Sequence, residues 1–251
     1  MDHLEISRRS LLGGAAICLT AIQQSTLGGE ESPTPKVVDP QTYLAKFREL
    51  AAAKWPKNRA LRIVCHGHSV PAGYFVTPVV RTFDSYPHLL HVGLAERFPT
   101  AVINVVVTAI GGEASVTGAA RFEKDVLSLQ PDLITIDYAL NDRRLGLQAA
   151  HKAWSSMILA AKKAGVPVLL LTPTPDTKAK LNEETDPLNQ HAAQIRALAA
   201  EHAVGLVDSL AAFQAAVAAG KELTDFMSQV NHPNRAGHEL VAQKLMEYFP
   251  K

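Results

Sequence analysis

Cysteine is almost absent from this 251-residue chain: Cys18 and Cys65 are the only two, too few for a disulfide framework. No Cys/His spacing matches a structural zinc site, and the sequence implies no metal and no cofactor. Charge of one sign never accumulates, since 25 basic and 24 acidic residues leave a formal net charge of +1. That gives no electrostatic argument for nucleic acid or an anionic membrane surface as a partner. Internal repeats and low-complexity tracts are missing too. A long hydrophobic run is lacking as well: the apolar stretch from Leu11 to Ile22 is short and rich in Gly, Ala and Thr, so the mature protein is expected to have no membrane span. What remains, 47% apolar and 20% charged, is the composition of one globular domain with a sizeable core.

The N-terminus reads as an address. Ser7-Arg8-Arg9-Ser10-Leu11-Leu12 opens the apolar stretch, and a paired arginine before such a stretch fits a twin-arginine export signal. Residues 1–28 are therefore expected to be the signal, 29–40 a polar, proline-containing linker, and 41–251 the mature domain. Cys18 falls inside the signal, where Ala15 and Ile17 fit a lipobox poorly. A twin-arginine substrate folds in the cytoplasm and works in the periplasm or outside the cell.

From there helical and strand patterns alternate. Helices are expected over Pro40–Trp55, Tyr86–Phe98, Gly118–Leu129, Ala149–Ala164, Pro187–His202 and Arg235–Phe249, with Asn234 placed to cap the last. Strands are expected over Leu61–Cys65, Ala101–Val107, Leu133–Tyr138, Val166–Leu171 and Val204–Val207, the second an apolar run suited to burial on both faces. Such alternation gives an α/β fold, a parallel sheet covered on both sides by helices, with its site at the carboxyl ends of the strands. Cys65 belongs to the first strand, where a free thiol packs as a small hydrophobe.

Four short blocks follow the ends of these elements. The first strand runs into Gly67-His68-Ser69-Val70, a serine on a tight turn. The second leads to Gly111-Gly112-Glu113, the third to Asn141-Asp142, and His232-Pro233-Asn234 precedes the closing helix. In this order the blocks resemble the SGNH (GDSL-type) hydrolases, serine esterases on a three-layer, flavodoxin-like fold with a parallel sheet of about five strands. The resemblance spans nearly all the mature chain. It implies that Ser69 is the nucleophile and His232 the general base. It also implies an oxyanion hole of the Ser69 backbone N–H, the Gly112 backbone N–H and the Asn141 side chain.

The chemistry asks for these residue types independently. A serine hydroxyl attacks only when a base takes its proton, and an imidazole titrating near neutrality can do so and later return it to the leaving alcohol. The negative charge of the tetrahedral intermediate needs preorganised donors, which a close-approaching glycine backbone and an uncharged amide supply.

The sequence departs from the family in two places. His68 stands where an acid usually precedes the serine. Gln229 stands where an acid usually lies three residues before the histidine. A triad acid fixes the tautomer of the base, so Gln229, through its carbonyl oxygen, is the expected orienting group, with a backbone carbonyl or Asp225 as substitutes. The expected protein is an exported serine esterase acting on small acyl esters, acetyl groups on carbohydrate above all, with a small-molecule or carbohydrate ester as its partner. Two alternatives remain: a catalytically silent relative that binds a glycan, motivated by the missing acid, and a metallohydrolase using His66 and His68 with His232 or His238.

Overall fold

A computed structural model describes residues 38–250 of the chain. The expected export signal and the linker as far as residue 37 lie outside these residues. Two short helices come first, α1 (Pro40–Tyr43) and α2 (Ala45–Ala52), in place of one helix over Pro40–Trp55. Asp39 caps the first by accepting from the Gln41 N–H, and Pro56 disfavours helical backbone at Trp55.

The alternation then proceeds as β1 (Ala60–Gly67), α3 (Ser69–Ala72), α4 (Tyr86–Arg97), β2 (Val102–Val107), α5 (Ser115–Asp125), β3 (Leu133–Asp137), α6 (Ala139–Asp142), α7 (Leu147–Lys163), β4 (Val168–Leu171), α8 (Pro187–His202), β5 (Gly205–Val207), α9 (Ser209–Ala218), β6 (Met227–Gln229), β7 (His232–Pro233) and α10 (Arg235–Met246). Strands β1 to β5 form one parallel sheet in the order β2-β1-β3-β4-β5, the flavodoxin-like order. Successive side chains of a strand face opposite sides of the sheet, so the sheet has two cores. On one side Ile63, Cys65 and Leu169 meet Leu94 of α4, Phe213 of α9 and Leu245 of α10. On the other Val64, Ile134 and Leu170 meet Phe122 of α5, Trp154 of α7 and Ile195 of α8. Burial drives both layers, at about 25 cal/mol for each Å² of apolar surface removed from water.

Two expectations change. The apolar run of β2 does not lie inside the sheet: among the described residues it pairs only with β1, and as an edge strand it leaves Val102 52% exposed. Its side chains fit a strand buried on both faces, but pairing order decides which strand is outermost. Helix α9 and the antiparallel pair β6–β7, which carries His232, were not anticipated at all. Among the described residues no helix is long and apolar enough to cross a membrane.

The strand order reverses at β1, whose neighbours β2 and β3 lead away in opposite directions. A crevice outside the carboxyl ends of the strands opens at such a reversal. Ser69, Gly112 and Asn141 follow the carboxyl ends of β1, β2 and β3, and β7 carries His232.

Candidate active site

β1 ends at Gly67, and the chain turns at once into the single-turn helix α3, so Ser69 stands at the tip of a strand. His68 caps that turn, its ring Nδ1 accepting from the Val70 N–H. The hydroxyl is thereby presented toward the hairpin formed by β6 and β7, where Ser69 Oγ lies 2.9 Å from His232 Nε2. The hairpin is held from both ends. Gln229 pairs with His232 across it, and Asn234 caps α10 through the Gly237 N–H while donating back to the Asp225 carbonyl.

The other ring nitrogen of His232 decides whether Nε2 can act as a base. Nδ1 lies 2.9 Å from the Phe75 carbonyl oxygen and 2.8 Å from the Gln229 side-chain nitrogen. A ring nitrogen either donates or accepts, so only one contact is a hydrogen bond. The Gln229 amide is fixed by its surroundings: Oε1 accepts from the Thr77 N–H, and the two hydrogens of Nε2 have the Thr77 hydroxyl and Asn231 Oδ1 as acceptors. The Phe75 carbonyl can only accept, so it bonds the tautomer that carries its proton on Nδ1, and in that tautomer Nε2 keeps its lone pair toward the serine.

This corrects the expected role of Gln229. The residue touches the ring, but with its nitrogen, because its oxygen is already occupied by the Thr77 N–H. Asp225 is elsewhere, accepting from the Glu222 N–H in a local cap. The Phe75 carbonyl was missed individually, since any residue type carries one. Burial pushes the His232 pKa below its ordinary value, with the Phe75 carbonyl pulling it back up and any charge on His68 pressing it further down.

The remaining blocks surround Ser69. Gly112 has φ +77°, a left-handed backbone that glycine adopts without strain, and open space lies where a side chain would project. Neither the Ser69 N–H nor the Gly112 N–H has an acceptor among the described residues. Asn141 sits on α6, and its Nδ2 spends one hydrogen on the Glu113 carbonyl at 2.8 Å, leaving the other free.

Buried side chains brace this loop from behind. The Asp142 carboxylate accepts from the Ser115 N–H at 2.8 Å and the Trp154 indole at 2.7 Å. Glu113 binds Arg121 and accepts from the Tyr138 hydroxyl, which in turn contacts His66. Among the described residues the Ser69 N–H, the Gly112 N–H and one hydrogen of Asn141 thus remain unspent. Such a set can stabilise an oxyanion formed at a carbonyl.

His66 and His68 do not form a metal pair. His66 bonds Thr108, Tyr138 and the Gly118 carbonyl, whereas His68 turns to Asp137 and Ser69. His238 accepts from the Tyr86 N–H and is buried in the core. Among the described residues no group of three metal-ligating side chains comes together. Beside the site an open cleft of about 410 Å³ is lined by Leu140, Asn141, Arg143, Arg144, Pro187 and Asn231.

Residues 65–240 match the GDSL-like lipase/acylhydrolase family. An acetylxylan esterase from Geobacillus stearothermophilus superposes with a TM-score of 0.66 at 21% identity, over 80% of this chain and 97% of the other. A two-domain esterase active on acetylated mannans superposes with a TM-score of 0.64 at 24% identity, over 82% of this chain and 52% of that one. No curated protein matches the chain.

Proposed function

This chain belongs to the GDSL-like lipase/acylhydrolase family and is a carboxylic ester hydrolase; from that premise we propose that it removes acetyl groups from carbohydrate outside the cytoplasm, with Ser69 as nucleophile and His232 as base. The observation that carries the mechanism is the 2.9 Å approach of Ser69 Oγ to His232 Nε2, with Nδ1 engaged by a carbonyl.

Ser69 Oγ attacks the ester carbonyl carbon as its proton passes to Nε2. The carbonyl oxygen becomes an oxyanion facing the Ser69 N–H, the Gly112 N–H and the free hydrogen of Asn141. Collapse expels the sugar alkoxide, which takes the proton from His232. Water, deprotonated by the same nitrogen, then releases acetate from the serine. Phe75 gives the imidazolium a hydrogen bond but no full negative charge, so His232 works as a base oriented by a dipole.

Two features support a small acyl group on a polar alcohol. The Tyr74 ring lies against Gly111, where an added Cβ would meet it at 2.8 Å, and 5.8 Å from the His232 ring, crowding one flank of the serine. The adjoining cleft offers Asn141, Arg144 and Asn231, donors and acceptors suited to sugar hydroxyls. The similar folds named above include esterases described as acting on acetylated xylan and mannan. Export rests on the Arg8-Arg9 signal in the sequence. The test is a panel of p-nitrophenyl acetate, butyrate and octanoate beside acetylated xylo- and manno-oligosaccharides. Acetate release from the sugars and a fall of at least about tenfold from acetyl to octanoyl are expected, one or two lost contacts' worth of discrimination. Faster octanoate cleavage would make it a lipid esterase. Failure of an organophosphonate to label Ser69 would favour the silent glycan binder.

The neutral form of His232 is the working base, so activity disappears as pH falls through its pKa. That pKa is lowered from 6.5, which places the midpoint of the acid limb of kcat/KM below 6.5. A midpoint above that value would mean an anion partners the ring. Position 229 gives a companion result. Gln229→Ala is expected to keep kcat within about tenfold of wild type, because Phe75 orients the ring without it. Gln229→Asp, by adding charge near Nδ1, should move the acid limb upward.

A further inference from the structure

His68 takes no part in the proton transfers just described, yet it is fully buried against the nucleophile. Its Nδ1 accepts from the Val70 N–H at 3.3 Å and lies 3.5 Å from Ser69 Oγ. A ring nitrogen that accepts carries no hydrogen, so the neutral ring holds its proton on Nε2. Nε2 faces Asp137 Oδ1 at 3.3 Å, within ion-pair distance but without the alignment of a hydrogen bond, and neither atom has a hydrogen-bond partner among the described residues. Asp137 ends β3, the strand beside β1. Its carbonyl accepts from the His68 N–H at 3.2 Å, and its Oδ2 accepts from the Tyr86 hydroxyl at 3.2 Å. The strand thus holds the His68 main chain by a hydrogen bond and sets a carboxylate beside its ring.

A buried carboxylate is costly, and core packing gives no reason for one here. The other titratable groups beside it stay uncharged: burial pushes the Cys65 thiol up to about 12 and raises the Tyr86 phenol well above its usual range. The family acid missing at position 68 has its counterpart one imidazole away, on the neighbouring strand. His68 is not a second base, because the single lone pair of Nδ1 is taken by the Val70 N–H.

We propose that Asp137 and His68 form a positioning pair for the nucleophile. The carboxylate holds His68 as the Nε2–H tautomer, and Nδ1 then caps the Ser69 turn so that the Ser69 N–H and hydroxyl face the ester. The effect on turnover rests on Ser69 being the nucleophile; the tautomer does not.

Nitrogen NMR of ring-labelled histidine reads the tautomer without any substrate. Wild type is expected to show the proton of His68 on Nε2, and Asp137→Leu to shift it toward Nδ1. With that shift, kcat for p-nitrophenyl acetate should fall about tenfold to a hundredfold at nearly constant KM, the scale of coupling between neighbours. Asp137→Asn keeps an acceptor for Nε2–H and should retain both the tautomer and kcat within about tenfold; it decides the matter if the leucine variant does not fold. In a His68→Asn background, where an amide caps the turn unaided, Asp137→Leu should cost less than about threefold. Equal losses in the two backgrounds, an unchanged tautomer in Asp137→Leu, or a far larger loss in Asp137→Asn with the tautomer retained would each overturn the pairing. A tautomer shift in a protein that cleaves no ester would uphold the pair and remove the esterase mechanism instead.

Discussion

Ser69→Ala is expected to lower kcat by about ten-thousandfold to a millionfold, the range seen when an activated nucleophile is deleted. Among the described residues the Ser69 hydroxyl is the one hydrogen-bond partner of His232 Nε2. The variant should fold normally. Among the described residues Ser69 Oγ has hydrogen-bonding contacts with the two imidazoles alone, and the cap that shapes the turn runs from the Val70 N–H to His68. Initial rates on p-nitrophenyl acetate, with circular dichroism and thermal unfolding as controls, decide it. A variant within tenfold of wild type would remove Ser69 from the mechanism.

Asn141→Ala should cost about a hundredfold to a thousandfold in kcat with little change in KM, because an oxyanion donor acts mainly in the transition state. The side chain has two hydrogens, and the Glu113 carbonyl fixes one of them, so the other is aimed before substrate arrives. That preorganisation is why the loss is expected in turnover rather than affinity. Asn141→Asp is a stringent companion, since it keeps the shape but replaces the donor with an acceptor and, when ionised, repels the oxyanion. Steady-state kinetics on both variants test the assignment; full activity in Asn141→Asp would exclude it.

The parts of the fold that were legible are those with many side chains bearing on one choice. Helix α8 over Pro187–His202 matches the expected bounds because a proline at its first position and a periodic apolar face agree. Asn234 was recognisable as a cap from residue type and place alone. The edge position of β2 was hidden because Val102–Val107 is as apolar as an inner strand. Helix α9 was hidden by near-continuous apolarity, Leu210 to Phe213 and Ala215 to Ala218, which blurs the 3.6-residue period, although Asp208 stands at its start as a cap. Strands of two and three residues, as in the hairpin carrying His232, are too short to show a period at all.

The site was legible where chemistry selects a side chain: Ser69 and His232, far apart in sequence, come within 2.9 Å. It was not legible where the partner of His232 is a carbonyl, a group present in every residue. The pairing of His68 with Asp137 was equally hidden, because the two meet only through the parallel alignment of β1 with β3.

That carbonyl has a genetic consequence. A triad acid can be lost by a single codon change, whereas no point substitution at Phe75 deletes its backbone oxygen. Position 229 is thereby released to vary, and the constraint passes to the path of the chain between Gly73 and Arg81, whose ends are joined by the Arg81 N–H to the Gly73 carbonyl at 2.7 Å. Insertions and deletions in that segment, rather than changes of residue type, are expected to disturb the carbonyl that meets His232 Nδ1.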